Sequence, residues 1–200
     1  MFKQLLSGVS IALALGTAVS SAAPLSRIEE ATTLTPKPKV EKVKKEEPKP
    51  TFLSCINCTA AELQTLRFFH KIGVEDKQAL AMIMGSIKQE SRFLPSVCEG
   101  GHITSWAGCT RGGFGLIQFT SAHRYYGLGN YAARTGQRPE SMKTQLEYIV
   151  TEREWKQAER IFKQAGLSMH RYDYAGKVWL GYGIKGNRLY YAYDYAKRIV

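Results

Sequence analysis

Between Ser96 and Thr120 the chain carries six glycines and two cysteines, in the run SVCEGGHITSWAGCTRGGFG and its continuation. No apolar period of 2 or 3.6 survives there, so the stretch is expected to be a loop holding at most a small β-ribbon. Helical patterns flank it on both sides. The sequence therefore reads as a mainly α domain with one irregular, glycine-rich insertion after its second helix.

Thr59-Ala-Ala-Glu62 has the form of a capping box, in which a hydroxyl and a carboxylate satisfy the orphan amides of a helix start. Leu63, Leu66, Phe69 and Ile72 continue at helical spacing, and Gly73 marks the stop. Glu75 and Asp76 open a second helix, DKQALAMIMGSIKQES, expected to end near Arg92 ahead of Pro95. GLIQFT is too short to assign. SAHRYYGLGNYAARTG reads as a short helix with a glycine break. A long helix is expected from Pro139 to Gly166, buried along Leu146, Ile149, Val150 and Trp155. AGKVWLGYG and NRLYYAYDYAKRIV suggest two more, and seven of the eleven tyrosines fall between Tyr172 and Tyr195. Such clustering reads as core and groove packing.

Residues 1–23 combine Lys3, a short apolar run and small residues near Ala22 and Ala23, the pattern of a secretory signal peptide. Retained, the segment would anchor the chain to a membrane; removed, it leaves an exported, periplasmic or extracellular protein. Residues 24–50 hold five of the seven prolines among alternating charges, and read as an extended, disordered tether. That leaves 51–200 as one domain. Beyond residue 50 there remain 20 basic against 12 acidic side chains, a net +8. A cation of this size favours polyanions such as cell wall, although solubility alone also explains it.

Cys55, Cys58, Cys98 and Cys109 all follow the leader. Their even number suggests two disulfides in an oxidising compartment, a tight Cys55–Cys58 ring and a Cys98–Cys109 loop staple. A zinc site is the rival reading, though the spacing suits no common ribbon. A redox-active CINC lacks the strand before it and the helix directly after it.

Leu80, Ile83 and Ile87 step along one face of the second helix, and the next step lands on Glu90. A carboxyl there loses hydration and also meets the negative end of the helix dipole. Both effects are expected to hold its proton on, the property that glycoside cleavage asks of a general acid. A surface acid beside Arg92 is the plainer reading. Glu99, in the glycine-rich loop, is a candidate second carboxylate. Glu147, Glu152 and Glu154 alternate with basic residues, as on a wet helix face. The four histidines show no HExxH or paired spacing, and no metal or other cofactor is expected. Gly112-Gly113-Phe114-Gly115 lacks the context of a phosphate cradle; its glycines suit close approach of a bulky ligand, with Gln118, Thr120 and Ser121 as polar partners. RNP, KH and helix-turn-helix signatures are missing, so no nucleic-acid partner is expected.

Glu90-Ser91-Arg92-Phe93-Leu94-Pro95 resembles the E-S-x-F-x-P segment of lytic transglycosylases and goose-type lysozymes. Gly115-Leu116-Ile117-Gln118-Phe119, then Arg124, Tyr131-Ala132 and Gln145-Leu146-Glu147-Tyr148, resemble phage tail lysozymes more closely. The resemblance covers roughly residues 60–195. It implies a lysozyme-like α+β fold and a peptidoglycan-degrading glycosidase acting on the bond between N-acetylmuramic acid and N-acetylglucosamine. Glu90 is then the catalytic acid, and glycan strands are the partner of a monomeric enzyme. Ser91, Gln118, Phe119, Thr120 and Tyr182 are the implied substrate-binding residues, and the Cys98–Cys109 loop takes the place of the β-ribbon. Phe119 stands where tryptophan is commoner, and Tyr182-Gly183 where transglycosylases carry Tyr-Asn. Hydrolysis and transglycosylation both fit. The alternative is a wall-binding or virion structural domain that keeps the fold without activity.

Overall fold

The computed structural model describes residues 53–200; the apolar leader and the charged tether lie outside the described residues. Seven helices occur among the described residues: α1 (Ala60–Lys71), α2 (Lys77–Ser91), α3 (Ala122–Thr135), α4 (Met142–Ile149), α5 (Arg153–Phe162), α6 (Met169–Leu180) and α7 (Arg188–Arg198). The protein is mainly α. The expected β-ribbon reduces to isolated antiparallel bridges, Val97 with Ile103 and Cys98 with Phe114, while Cys55 bridges Ile199 near the C-terminus.

The capping box forms at α1. Thr59 Oγ1 accepts from the Glu62 amide at 3.2 Å, and Glu62 Oε2 accepts from the Thr59 amide at 2.7 Å. Glu62 reaches further, taking Lys88 Nζ of α2 at 3.1 Å and the Tyr195 hydroxyl of α7. Burial alone would raise its pKa, but Tyr195, Thr59 and Lys88 outweigh that and hold the carboxyl below its ordinary range.

The central element is α2, packed against α1, α6 and α7. Leu80, Ile83 and Ile87 are all buried, as their spacing requires. Gly85 lets α7 come close: a Cβ there would lie 2.6 Å from the Ala192 nitrogen and the Arg188 oxygen. Behind α2, Phe69 and Trp179 surround Trp155 at ring distances of 5.0 and 5.2 Å and join α1, α5 and α6.

Two expectations about the helices fail. The glycines of α3 do not break it. They leave room instead, because a Cβ at Gly127 would overlap Tyr148 and one at Gly129 would overlap Trp106. The long helix over 139–166 is divided between α4 and α5. Thr151 Oγ1 donates to the Tyr148 oxygen at 2.7 Å, and Glu152 turns to an extended conformation as the N-cap of α5. Glu152 is consequently not on a wet face. It is buried and takes both arms of Arg124, at 2.7 and 2.6 Å.

Candidate active site

Glu90 occupies the second-last position of α2, where the helix reaches the surface. Directly after it the backbone makes a sharp exit, with Arg92 at φ 53° and Phe93 at φ 64°. Two consecutive non-glycine residues in this region cost on the order of 1–3 kcal/mol each, and the surroundings must hold them. Phe93 is buried in the core. Ser91 Oγ donates to the Leu116 oxygen at 2.8 Å and accepts from the Phe93 amide at 3.1 Å.

Gln145, on α4 and fully buried, completes the frame. Its Oε1 accepts from the Leu116 amide at 2.8 Å, and its Nε2 lies 2.6 Å from the Pro95 oxygen and 2.7 Å from that of Pro139. One side chain thereby ties the segment after Glu90 to the GLIQF turn. The position of the acid is set by α2 and by this frame together.

The glycine-rich loop forms the facing wall. Cys98 and Cys109 are joined as a disulfide, as are Cys55 and Cys58, so the four cysteines are not a zinc tetrad. Closing a loop of this length contributes about 3 kcal/mol in the chain-entropy account. The Glu99 carboxylate accepts from the Gly113 amide at 3.0 Å, and any Cβ at Gly112 would collide with it. Gln118 sits at φ 51°, its Nε2 donating to the Gly115 oxygen at 3.0 Å.

Glu90, Glu99 and Gln118 line one open cleft of about 460 Å³. Gln118 also borders a recess of about 370 Å³, which shares Thr120 with another of about 570 Å³ lined by Trp106, Arg111, Tyr125 and Tyr126. The three follow one another along Gln118–Thr120, an arrangement suited to an extended ligand.

On its other side Glu90 meets Arg188, whose Nη2 contacts Glu90 Oε1. The guanidinium carbon lies 4.0 Å from the centre of the Tyr182 ring. Tyr182 is held well above the usual phenol range by burial and then by Asp173, whose Oδ1 accepts its hydroxyl at 2.8 Å. Tyr182 thus reaches Glu90 through Arg188 and not by a direct hydrogen bond.

A family comparison matches residues 60–186 to the description Phage tail lysozyme. The chain belongs to the phage tail lysozyme family. No curated protein and no solved structure matches the chain. Membership brings a lysozyme-like, peptidoglycan-related function in general, and the mainly helical fold agrees with it. The matched span holds every candidate cleft residue, and it stops two residues before Arg188.

Among the substrate-binding residues that the resemblance implied for this phage tail lysozyme relative, Gln118 and Thr120 face open recesses. Ser91 borders the Glu90 cleft, whereas Phe119 borders none of the three recesses. The Ser91 hydroxyl is spent inside the frame, and Phe119 is wholly buried with Tyr148 5.5 Å away and Arg124 above its ring. Two contributors had no role assigned from the sequence. Arg188 lies 98 residues from Glu90 in an ordinary helix start, and Gln145 belonged to a motif whose geometry was not evident.

Proposed function

We propose that this protein cleaves the β-1,4 bond between N-acetylmuramic acid and N-acetylglucosamine in peptidoglycan, with Glu90 as general acid and then base. The observation that carries the reading is the shared cleft of Glu90 and Glu99, one acid on a rigid buried helix and the other on a stapled loop. The protonated Glu90 carboxyl gives its proton to the glycosidic oxygen as the C–O bond breaks, and the substrate's own acetamido group assists departure. Glu90, now ionised, takes a proton from water or from the sugar's own hydroxyl to complete the reaction. Glu99 is the second carboxylate for a paired route. The row of recesses suits a glycan strand as partner. The basic domain and the disulfides fit a protein acting outside the cytoplasm or within a virion.

Pairing of Glu90 with Arg188 favours a second reading, a wall-binding or virion structural domain without activity. A zymogram on purified peptidoglycan with the parent, Glu90→Gln and Glu99→Gln chains separates the two. The expected outcome is clearing by the parent, none by folded Glu90→Gln, and substantial residual clearing by Glu99→Gln. Undiminished clearing by Glu90→Gln contradicts the assignment of the acid, and no clearing by the parent favours the inactive domain. Mass spectrometry of the products distinguishes anhydro-muramyl ends, meaning transglycosylation, from reducing ends, meaning hydrolysis.

A further inference from the structure

Arg188 is anchored, and Glu90 is not. Arg188 Nη1 donates to the Ile184 oxygen at 2.9 Å and the Lys185 oxygen at 2.8 Å. Its face covers Tyr182, which is itself held by Asp173, and Lys185 Nζ meets Asp173 at 3.0 Å. The residue begins α7, and Gly85 brings α7 close against α2. The guanidinium is nearly inaccessible. The Glu90 side chain is 15% exposed, opens on the cleft, and touches Arg188 through one oxygen only. Among the described residues, buried Arg188 Nε has no partner.

This contact cannot serve both protonation states equally. A guanidinium offers donors and no acceptor, so it suits the carboxylate and gives a carboxylic O–H nothing to bind. The cleft differs. Glu99 and Arg92 line it, and a glycosidic oxygen placed there would accept the proton. Lys88 is engaged with Glu62, and the Tyr182 phenol stays protonated behind Arg188, so neither replaces the guanidinium as counter-charge. Single-armed contact to an otherwise fixed arginine is what a carboxylate that must leave would have.

We infer that Arg188 is a positioning residue that parks ionised Glu90 against the cleft wall, and that Glu90 swings into the cleft when it takes up its proton. The inference rests on the proposed role of Glu90 as the acid. It assigns the resting and working positions of that acid, and it places a determinant of the reaction beyond the matched family span.

The test compares the full chain with Arg188→Met, which keeps length and removes charge. The pH profile of kcat/KM changes shape, and the NMR signal of the Glu90 carboxyl carbon without substrate moves away from its parental position, because the counter-charge is gone. A variant that is folded yet leaves both unmoved makes Arg188 a structural clamp and overturns the inference. Should Arg188→Met not fold, the parent and Glu90→Gln are melted across pH. The parent melts higher near neutrality and the gap closes in acid; equal melting at every pH overturns the pairing. If Glu90→Gln still cleaves peptidoglycan, the proposed function fails by itself, because NMR and melting report the Glu90–Arg188 pair independently of activity.

Discussion

Two of the Arg–Glu pairs in this domain are built differently. Arg124 and Glu152 meet through two parallel bonds, with both side chains under 10% exposed. Arg188 and Glu90 meet through one bond at the rim of a cleft, with the arginine's Nε unused. The first is closed and fixes how α3 meets the start of α5. The second leaves its carboxylate able to move. Identical residue types therefore hold the fold in one place and present chemistry in the other, and what separates them is the number of arms and the open side.

The largest effect expected from the comparison is on stability. Replacing Glu152 by Ala strands a buried guanidinium and costs about 3–5 kcal/mol, measured by urea unfolding. Replacing Glu90 by Gln leaves Arg188 its backbone carbonyls and lowers the melting temperature far less. A Glu90→Gln loss as large as that of Glu152→Ala would erase the distinction.

Next comes Gly85→Ala. Its methyl would press on backbone atoms of α7, a fault that cannot be relieved by turning a side chain. A cost of about 1–3 kcal/mol is expected, together with lowered activity, because α7 carries Arg188. Unchanged activity in a destabilised variant would uncouple the spacing of α2 and α7 from the site.

These elements show which parts of the molecule are written locally. The Thr59–Glu62 capping box and the Leu80–Ile83–Ile87 stripe are short-range patterns, and the fold forms the first and buries the second. Glu152 departs from the pattern because alternating charge at 147–154 describes a helix surface only if no partner waits nearby, and Arg124 lies 28 residues away. Phe119 adjoins Gln118, which does face the cleft, yet neighbouring positions on a sharp turn point to opposite sides. The family motif carries their identity without their direction. Contacts of Arg188 and Gln145 span 98 and up to 50 residues, and no local period encodes such distances.

A smaller effect sharpens the contrast from the acid side. Glu62 is a second buried carboxylate, in addition to Glu152, held low by Tyr195, Thr59 and Lys88 against the opposing effect of burial. Its folded pKa lies below the unfolded value of about 4.3, so its stabilisation is fully present above that value and is lost as pH falls through the folded one. Glu62→Gln is expected to cost about 1–3 kcal/mol at neutral pH and progressively less in acid, followed by denaturant midpoints. A cost independent of pH would mean that charge on Glu62 contributes nothing.

The most direct test of the central claim is the rate at which folded Glu90→Gln releases soluble fragments from purified peptidoglycan, relative to the parent. Removing a general acid is expected to slow release by about 10²–10⁴-fold while the helical circular dichroism stays that of the parent. Release at the parental rate from a folded Glu90→Gln chain would contradict the account.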